Sequence, residues 1–192
     1  MSHIERRQRE KEEIRQRILE AARNIAKKEG WPSVTIRKIA DSIEYTPPIV
    51  YEYFDGKEAL IRELIYTGFE MMKDKFEEAE KSIADAKKLL HRLSVIHWEF
   101  ANESFELYQL MFSLERVTPS KEMLYNMSLM KRIFMEIANN DELLGKELLL
   151  SWVCLNRGAV STLKRDTPPP HMSERTPHEW YLSIINRFIN SI

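Results

Sequence analysis

The stretch Thr35–Lys57, TIRKIADSIEYTPPIVYEYFDGK, restricts the fold more than any other part of the chain. It reads as two short helices joined by a tight turn, with the second helix opened by Thr46. Thr46 precedes Pro47 and Pro48. A residue before proline is driven out of the α region, into the conformation of an N-cap. Proline is accepted in the first helical turn because the N–H it lacks would have had no intrahelical partner. With Pro48 lacking a donor, the Thr46 hydroxyl is expected to cap the N–H of Ile49. Ile49, Val50 and Phe54 then form an apolar stripe at helical spacing, while Pro47, Pro48, Tyr51 and Tyr53 supply surface for a partner.

Two helices set in this way are the pattern that places one helix in the major groove of DNA. Arg37 and Lys38 add to it. They fall in the first turn of the first helix, where each positive charge opposes the macrodipole at a cost of roughly 0.3–1 kcal/mol, a sign that a polyanion would reverse. Two prolines at the tip of the second helix remove amide donors that could meet phosphate, and present a rigid apolar end suited to a thymine methyl. The charge is also divided. Residues 1–40 hold 11 Lys and Arg against 6 Glu, whereas residues 41–192 hold 18 against 24 acidic residues. A basic end on an acidic body is the asymmetry expected when one end meets a polyanion.

The run T-x-x-x-I-A at Thr35–Ala40, T-P-P-I-V-Y-E-Y-F at Thr46–Phe54 and D-G-K-E-A-L at Asp55–Leu60 resembles the DNA-binding head of the TetR/AcrR-like bacterial transcriptional regulators. The resemblance implies that Thr35, Thr46, Tyr51, Tyr53 and Lys57 contact phosphates. It places Lys38, Pro47 and Pro48 nearest the bases, with Arg37 in either role. Two departures stand out. Ile43 and Glu44 replace the small residue and glycine usual in the turn, and Glu52 stands where the family often has a neutral or basic residue. A non-glycine residue at positive φ costs roughly 1–2 kcal/mol, so the turn is either strained or differently shaped.

The rest of the chain reads as all-α, about nine helices in total. A head with a helix-turn-helix spans residues 1–56, a helical body spans 57–192, and a long helix from about 57 to 81 links them. Apolar residues at three and four residue spacing, from Ile14 to Ala26, mark a first helix over Glu10–Glu29. Residues 1–8 read as a polar, disordered terminus, the other reading being an arm along the DNA backbone. Asp55 and Glu58 have the spacing of a capping box for the long helix, which at 1.5 Å per residue reaches roughly 35 Å and so serves both parts as a lever. Further helices are expected over 87–101, 105–116, 120–139 and 142–165, then a loop over 166–176 containing Pro168, Pro169 and Pro170, and a last helix opened by Pro177.

Leu148–Leu155 is apolar on every side, so it must be covered all round. With the last helix it predicts an intersubunit four-helix bundle formed by Leu155, Gly158, Trp180, Tyr181, Ile184, Ile185 and Phe188, against the plainer reading of two core helices in a monomer. The resemblance implies the homodimer, and its two-fold symmetry implies a palindromic double-stranded DNA operator. It also implies a small-molecule effector in the body. His97, Trp98, Phe100, Met111, Phe112, Met127, Met130, Phe134, Trp152 and Asn156 suit an apolar or aromatic one, because thioethers repack around different shapes. Each of these side chains is equally at home in an ordinary core.

Nothing in the sequence points to catalysis, a metal or a cofactor. There is no HExxH, G-x-S-x-G or phosphate-cradling loop, and Cys154, the single cysteine, reads as a small buried hydrophobe. No apolar run approaches the length of a membrane span and the N-terminus is highly charged, which predicts a cytoplasmic protein. The expected function is a ligand-released DNA-binding repressor. The alternatives are a helical ligand-binding or scaffolding protein that no longer reads DNA, and a small enzyme built around His97.

Overall fold

A computed structural model describes residues 3–113, 117–164 and 174–192. Nine α-helices lie in the described residues, and no strand does: α1 (His3–Glu29), α2 (Ile36–Ser42), α3 (Pro47–Tyr53), α4 (Gly56–Ser82), α5 (Ala86–Glu103), α6 (Phe105–Met111), α7 (Lys121–Ile137), α8 (Glu142–Leu163) and α9 (Pro177–Asn190). The chain divides into two compact units. The first is Met1–Gly68 with Phe105–Val117, and the second is Phe69–Ser104 with Thr118–Ile192. Arg116, Arg165 and the expected loop from Asp166 to Ser173 lie outside the described residues.

In the first unit α1, α2, α3 and the start of α4 close around Ile18, Ala22, Val34, Ile39, Val50, Leu60 and Leu64, all fully buried. α1 begins at His3 rather than Glu10, so the expected disordered terminus is helical from that residue on. The apolar pattern starts only at Ile14. Before it the helix carries Arg6–Glu10 and Arg9–Glu13 pairs at four-residue spacing, each worth a few tenths of a kcal/mol, about 0.2–0.5. A pattern sought in apolar residues misses a helix continued by charged ones.

The second unit is a bundle of the distal part of α4 with α5, α7, α8 and α9. Leu90, Leu93, Ile96, Phe100, Phe134, Val160, Tyr181 and Ile185 are among its fully buried side chains. Its helices begin at capped residues. Asp85, Ser120 and Asp141 accept from the N–H three residues on, and Thr176 forms a capping box with Glu179. α4 begins at Gly56. The chain turns at this residue, with φ of 80°, and its N–H donates to the Phe54 carbonyl at 2.8 Å.

Candidate nucleic-acid interface and candidate effector core

The turn between α2 and α3 has the geometry of a glycine turn without the glycine. Tyr45 N–H donates to Ala40 O at 2.9 Å and Glu44 N–H to Asp41 O at 3.2 Å, the paired bonds of a Schellman ending. That ending needs a left-handed residue, and Glu44 supplies it at φ 62°. Of the two outcomes expected for the missing glycine, strain is the one found. Arg17 braces the site from α1, donating to Ile43 O at 2.9 Å while its guanidinium lies over the Tyr45 ring at 5.5 Å.

Thr35 caps α2, its hydroxyl accepting from Lys38 N–H at 3.2 Å. Thr46 does not cap α3 through its hydroxyl as expected. Its carbonyl accepts the Ile49 N–H at 3.1 Å instead, because the two prolines leave only that donor and the backbone acceptor reaches it first. The exposed Thr46 hydroxyl is thereby left for a partner. Pro48 is exposed and Pro47 half-buried, while Tyr51 is 59% exposed although aromatic. The Tyr53 phenol is half-buried and raised above its ordinary pKa, first by burial and then by Glu52 and Tyr45, which keeps it a neutral donor. Exposed Arg37 and Lys38 lie on α2, with exposed Thr35 at its N-cap.

The cations are only loosely committed. Lys38 pairs with Glu29 at 2.6 Å, Arg37 approaches Asp41 at 3.9 Å, and Lys57 reaches the Trp31 carbonyl at 3.4 Å. Exposed ion pairs of this kind contribute about 0–1 kcal/mol, so phosphate can displace the carboxylates at little cost. Glu52 is exposed on α3 and faces solvent.

In the second unit, His97 and Trp152 meet edge to face at 6.0 Å and Phe134 lies 6.3 Å from Trp152. Phe100 is fully buried, and Trp98, Met130 and Asn156 are buried too. Burial, followed by the charge of Arg157, pushes the His97 imidazole down to about 3, so it is neutral at ordinary pH. A hydrogen-bonded network runs through the same core. Trp152 Nε1 donates to Ser94 Oγ at 2.8 Å, Ser94 donates to Leu90 O at 2.8 Å, and the Tyr181 hydroxyl contacts both Ser94 O and Asn156 Oδ1. Asn156 donates in turn to Trp152 O at 2.8 Å within α8, and by accepting from Tyr181 the amide expected to greet an effector joins α8 to α9.

The expected effector set is not brought together whole. Met111 and Phe112 belong to the first unit, and Met127 is 61% exposed on α7. Asn126, absent from the expected set, is buried on α7, donates to Phe69 O at 3.3 Å and leaves its Oδ1 without a hydrogen-bond partner. The one available signal was a polar residue at the helical spacing of Met123 and Met130.

Of the expected dimer residues, Gly158 is exposed and Leu155, Trp180, Ile184 and Phe188 are half-buried. Tyr181 and Ile185 are fully buried within the protomer, because their side of α9 closes the chain's own core. The run Leu148–Leu155 is not covered all round in the protomer. Its buried face carries Trp152, with Asn156 just beyond it, and the opposite face leaves Leu150 64% exposed and Cys154 exposed, correcting the expectation of a buried thiol.

No helix of the described residues is long and apolar enough to cross a membrane, and among those residues no group of three His, Cys, Asp or Glu is placed to hold a metal ion. Residues 18–64 match the model of the bacterial regulatory proteins, tetR family. No curated protein matches the chain. Among solved structures, a TetR/AcrR family transcriptional regulator from Thermobifida fusca YX-ER1 is similar with TM-score 0.65 at 19% identity, over 93% of this chain and 97% of that one. The regulator FadR from Bacillus subtilis, solved in complex with stearoyl-CoA, has TM-score 0.71 at 16% identity, over 92% and 98%. AibR, solved with isovaleryl coenzyme A and operator DNA, has TM-score 0.65 at 13% identity, over 91% and 95%. Residues 18–64 thus match the tetR family of bacterial regulatory proteins, and the chain around them shares the fold of the TetR/AcrR family regulator.

Proposed function

We propose that this chain is a ligand-responsive transcriptional regulator, a repressor that binds a palindromic operator as a homodimer and is released by a small, mostly apolar or aromatic effector. The observation that carries the reading is the outward end of α3, where a free Thr46 hydroxyl, Pro48 and Tyr51 stand beside Arg37 and Lys38 of α2. Phosphate contacts from the hydroxyls and cations orient the helix, and the proline tip meets base edges. The uncovered face of α8, with Leu150, Cys154 and Gly158, supports pairing with a second copy, which sets two recognition helices at symmetric half-sites.

For the effector, the buried aromatic and thioether side chains of the second unit supply an apolar environment, and the unpartnered Asn126 Oδ1 accepts from a donor on the ligand. The acyl chain of a coenzyme A thioester is one instance, supported by the bound molecules of FadR and AibR. The effector needs only to favour the non-binding conformation by a few kcal/mol, about 3–5, to release DNA. Exposed Glu52 on α3 supports the other reading, a ligand-binding protein that no longer reads DNA. Enrichment of bound duplexes from a random pool separates the two: a palindromic motif is expected, and a folded dimer that enriches none contradicts the regulator.

A further inference from the structure

Helix α6 lies between α5 and α7 in sequence but packs with the DNA-binding helices of the first unit. It carries a charged group where a short helix needs none. Glu106 has a side chain only 3% exposed, and its Oε1 accepts from Arg23 Nε at 2.9 Å and Nη2 at 2.8 Å, with Lys27 at 3.6 Å. Its carbonyl accepts from Trp31 Nε1 at 2.8 Å. Trp31 in turn offers its own carbonyl to Lys57 at 3.4 Å and to Val34 N–H at 3.1 Å, at the turn that leads into α2. At the other end of α6, Met111 rests on Gly68 of α4, so closely that a Cβ there would stand 2.4 Å from its sulfur.

A buried ion pair is a poor source of stability, since desolvation consumes most of the attraction and apolar replacements are often neutral or better. It does fix register, because charge-assisted bonds from two guanidinium N–H groups converging on one carboxylate oxygen tolerate little sliding. Glu106 therefore holds α6 at one setting on α1, and the indole bond carries that setting to Trp31, whose carbonyl Lys57 contacts. α6 follows α5 in the chain after the single residue Ser104.

We propose that Glu106 is a positioning residue for DNA recognition: clasped by Arg23 and joined to Trp31 at the turn into α2, it sets the geometry of α2 that reads the operator. This rests on the DNA-binding reading above. The test uses the full chain with a duplex enriched from a random pool and a scrambled duplex of equal length, at one salt concentration. For Glu106→Gln and Trp31→Phe the expected result is about tenfold weaker binding to the enriched duplex. Binding to the scrambled duplex and the helical circular dichroism stay unchanged. The swapped pair Arg23→Glu with Glu106→Arg recovers most of the loss and keeps the proposal testable should Glu106→Gln fail to fold. Equal loss on both duplexes, no loss on either, or no recovery in the swap overturns the positioning role while leaving DNA binding intact. A wild-type chain that enriches no duplex overturns the DNA reading itself, and the proposal with it.

Discussion

Helices α3 and α8 both turn outward residues that a core would normally claim, and they differ in what those residues can do. α3 exposes Pro48 and Tyr51, beside the free hydroxyl of Thr46. α8 exposes Leu150 and Cys154 while burying Asn156 on its opposite face. An exposed tyrosine presents an apolar ring with a polar tip, and suits a wet, charged surface such as a phosphate backbone. Exposed leucine offers nothing to water or phosphate, so its fitting cover is another apolar helix. The inverted face of α8 thus points to a second copy of the chain, and the amphipathic face of α3 to DNA.

If the division holds, substitutions in the buried second unit change stability, and those on α3 change binding alone. Phe134→Ala is expected to have the largest effect, since a fully buried aromatic leaves a cavity and costs about 3–5 kcal/mol. Chemical denaturation measures it, and a loss below about 1 kcal/mol would mean the site collapses or is already open.

Next in size is the pH response of His97. Its folded pKa of about 3 lies below the ordinary value of 6.5, so between those values the unfolded chain binds the extra proton. Stability from this group is whole above pH 6.5 and falls as pH drops, by up to about 1.4 kcal/mol per pH unit. The depressed carboxylates Glu77, Glu80, Glu122, Glu142 and Glu179 lose their contributions only below their ordinary value of 4.5. The window from 6.5 to 4.5 therefore isolates His97, and His97→Phe is expected to flatten the stability curve there. An unchanged slope would show an imidazole that reaches water.

In the first unit the expected change is smaller and opposite in sign. Glu44→Gly relieves the left-handed strain of the α2–α3 turn and stabilises the chain by about 0.5–1 kcal/mol, part of the relief being offset by glycine's greater freedom when unfolded. A rise of a few degrees in Tm, about 2–4, is the expected reading.

The smallest stability effect is expected at Gly158, where a Cβ meets nothing within 4 Å in the protomer. Gly158→Arg should leave unfolding within about 0.5 kcal/mol of wild type when measured on the monomer. In sedimentation it should convert dimer to monomer. A variant that stays dimeric would place the interface elsewhere.

How much was legible in the sequence follows the same division. α2, α3 and their turn are short and locally determined, so proline, threonine and the T-P-P-I-V-Y-E-Y-F run were enough to place them. What failed there was competition between nearby groups: the Thr46 carbonyl took the bond expected of its hydroxyl. In the second unit the helices were legible by period, but their facing depends on distant neighbours. An unbroken apolar run gives no phase, which is why Cys154 was expected inside. Tyr181 and Ile185 were placed on the dimer face because α9 is apolar on more than one side. Asn156 looked like an effector contact because nothing local discloses that Tyr181, 25 residues away, completes its hydrogen bonding.

The outward face of α3 as a DNA-reading surface is tested most directly by titrating an enriched duplex across salt concentrations with wild type, Lys57→Ala and Tyr51→Ala. The account predicts steeply salt-dependent binding, a slope reduced by about one in Lys57→Ala, and weaker binding in both variants with folding unchanged. Binding that ignores salt and both substitutions would contradict it.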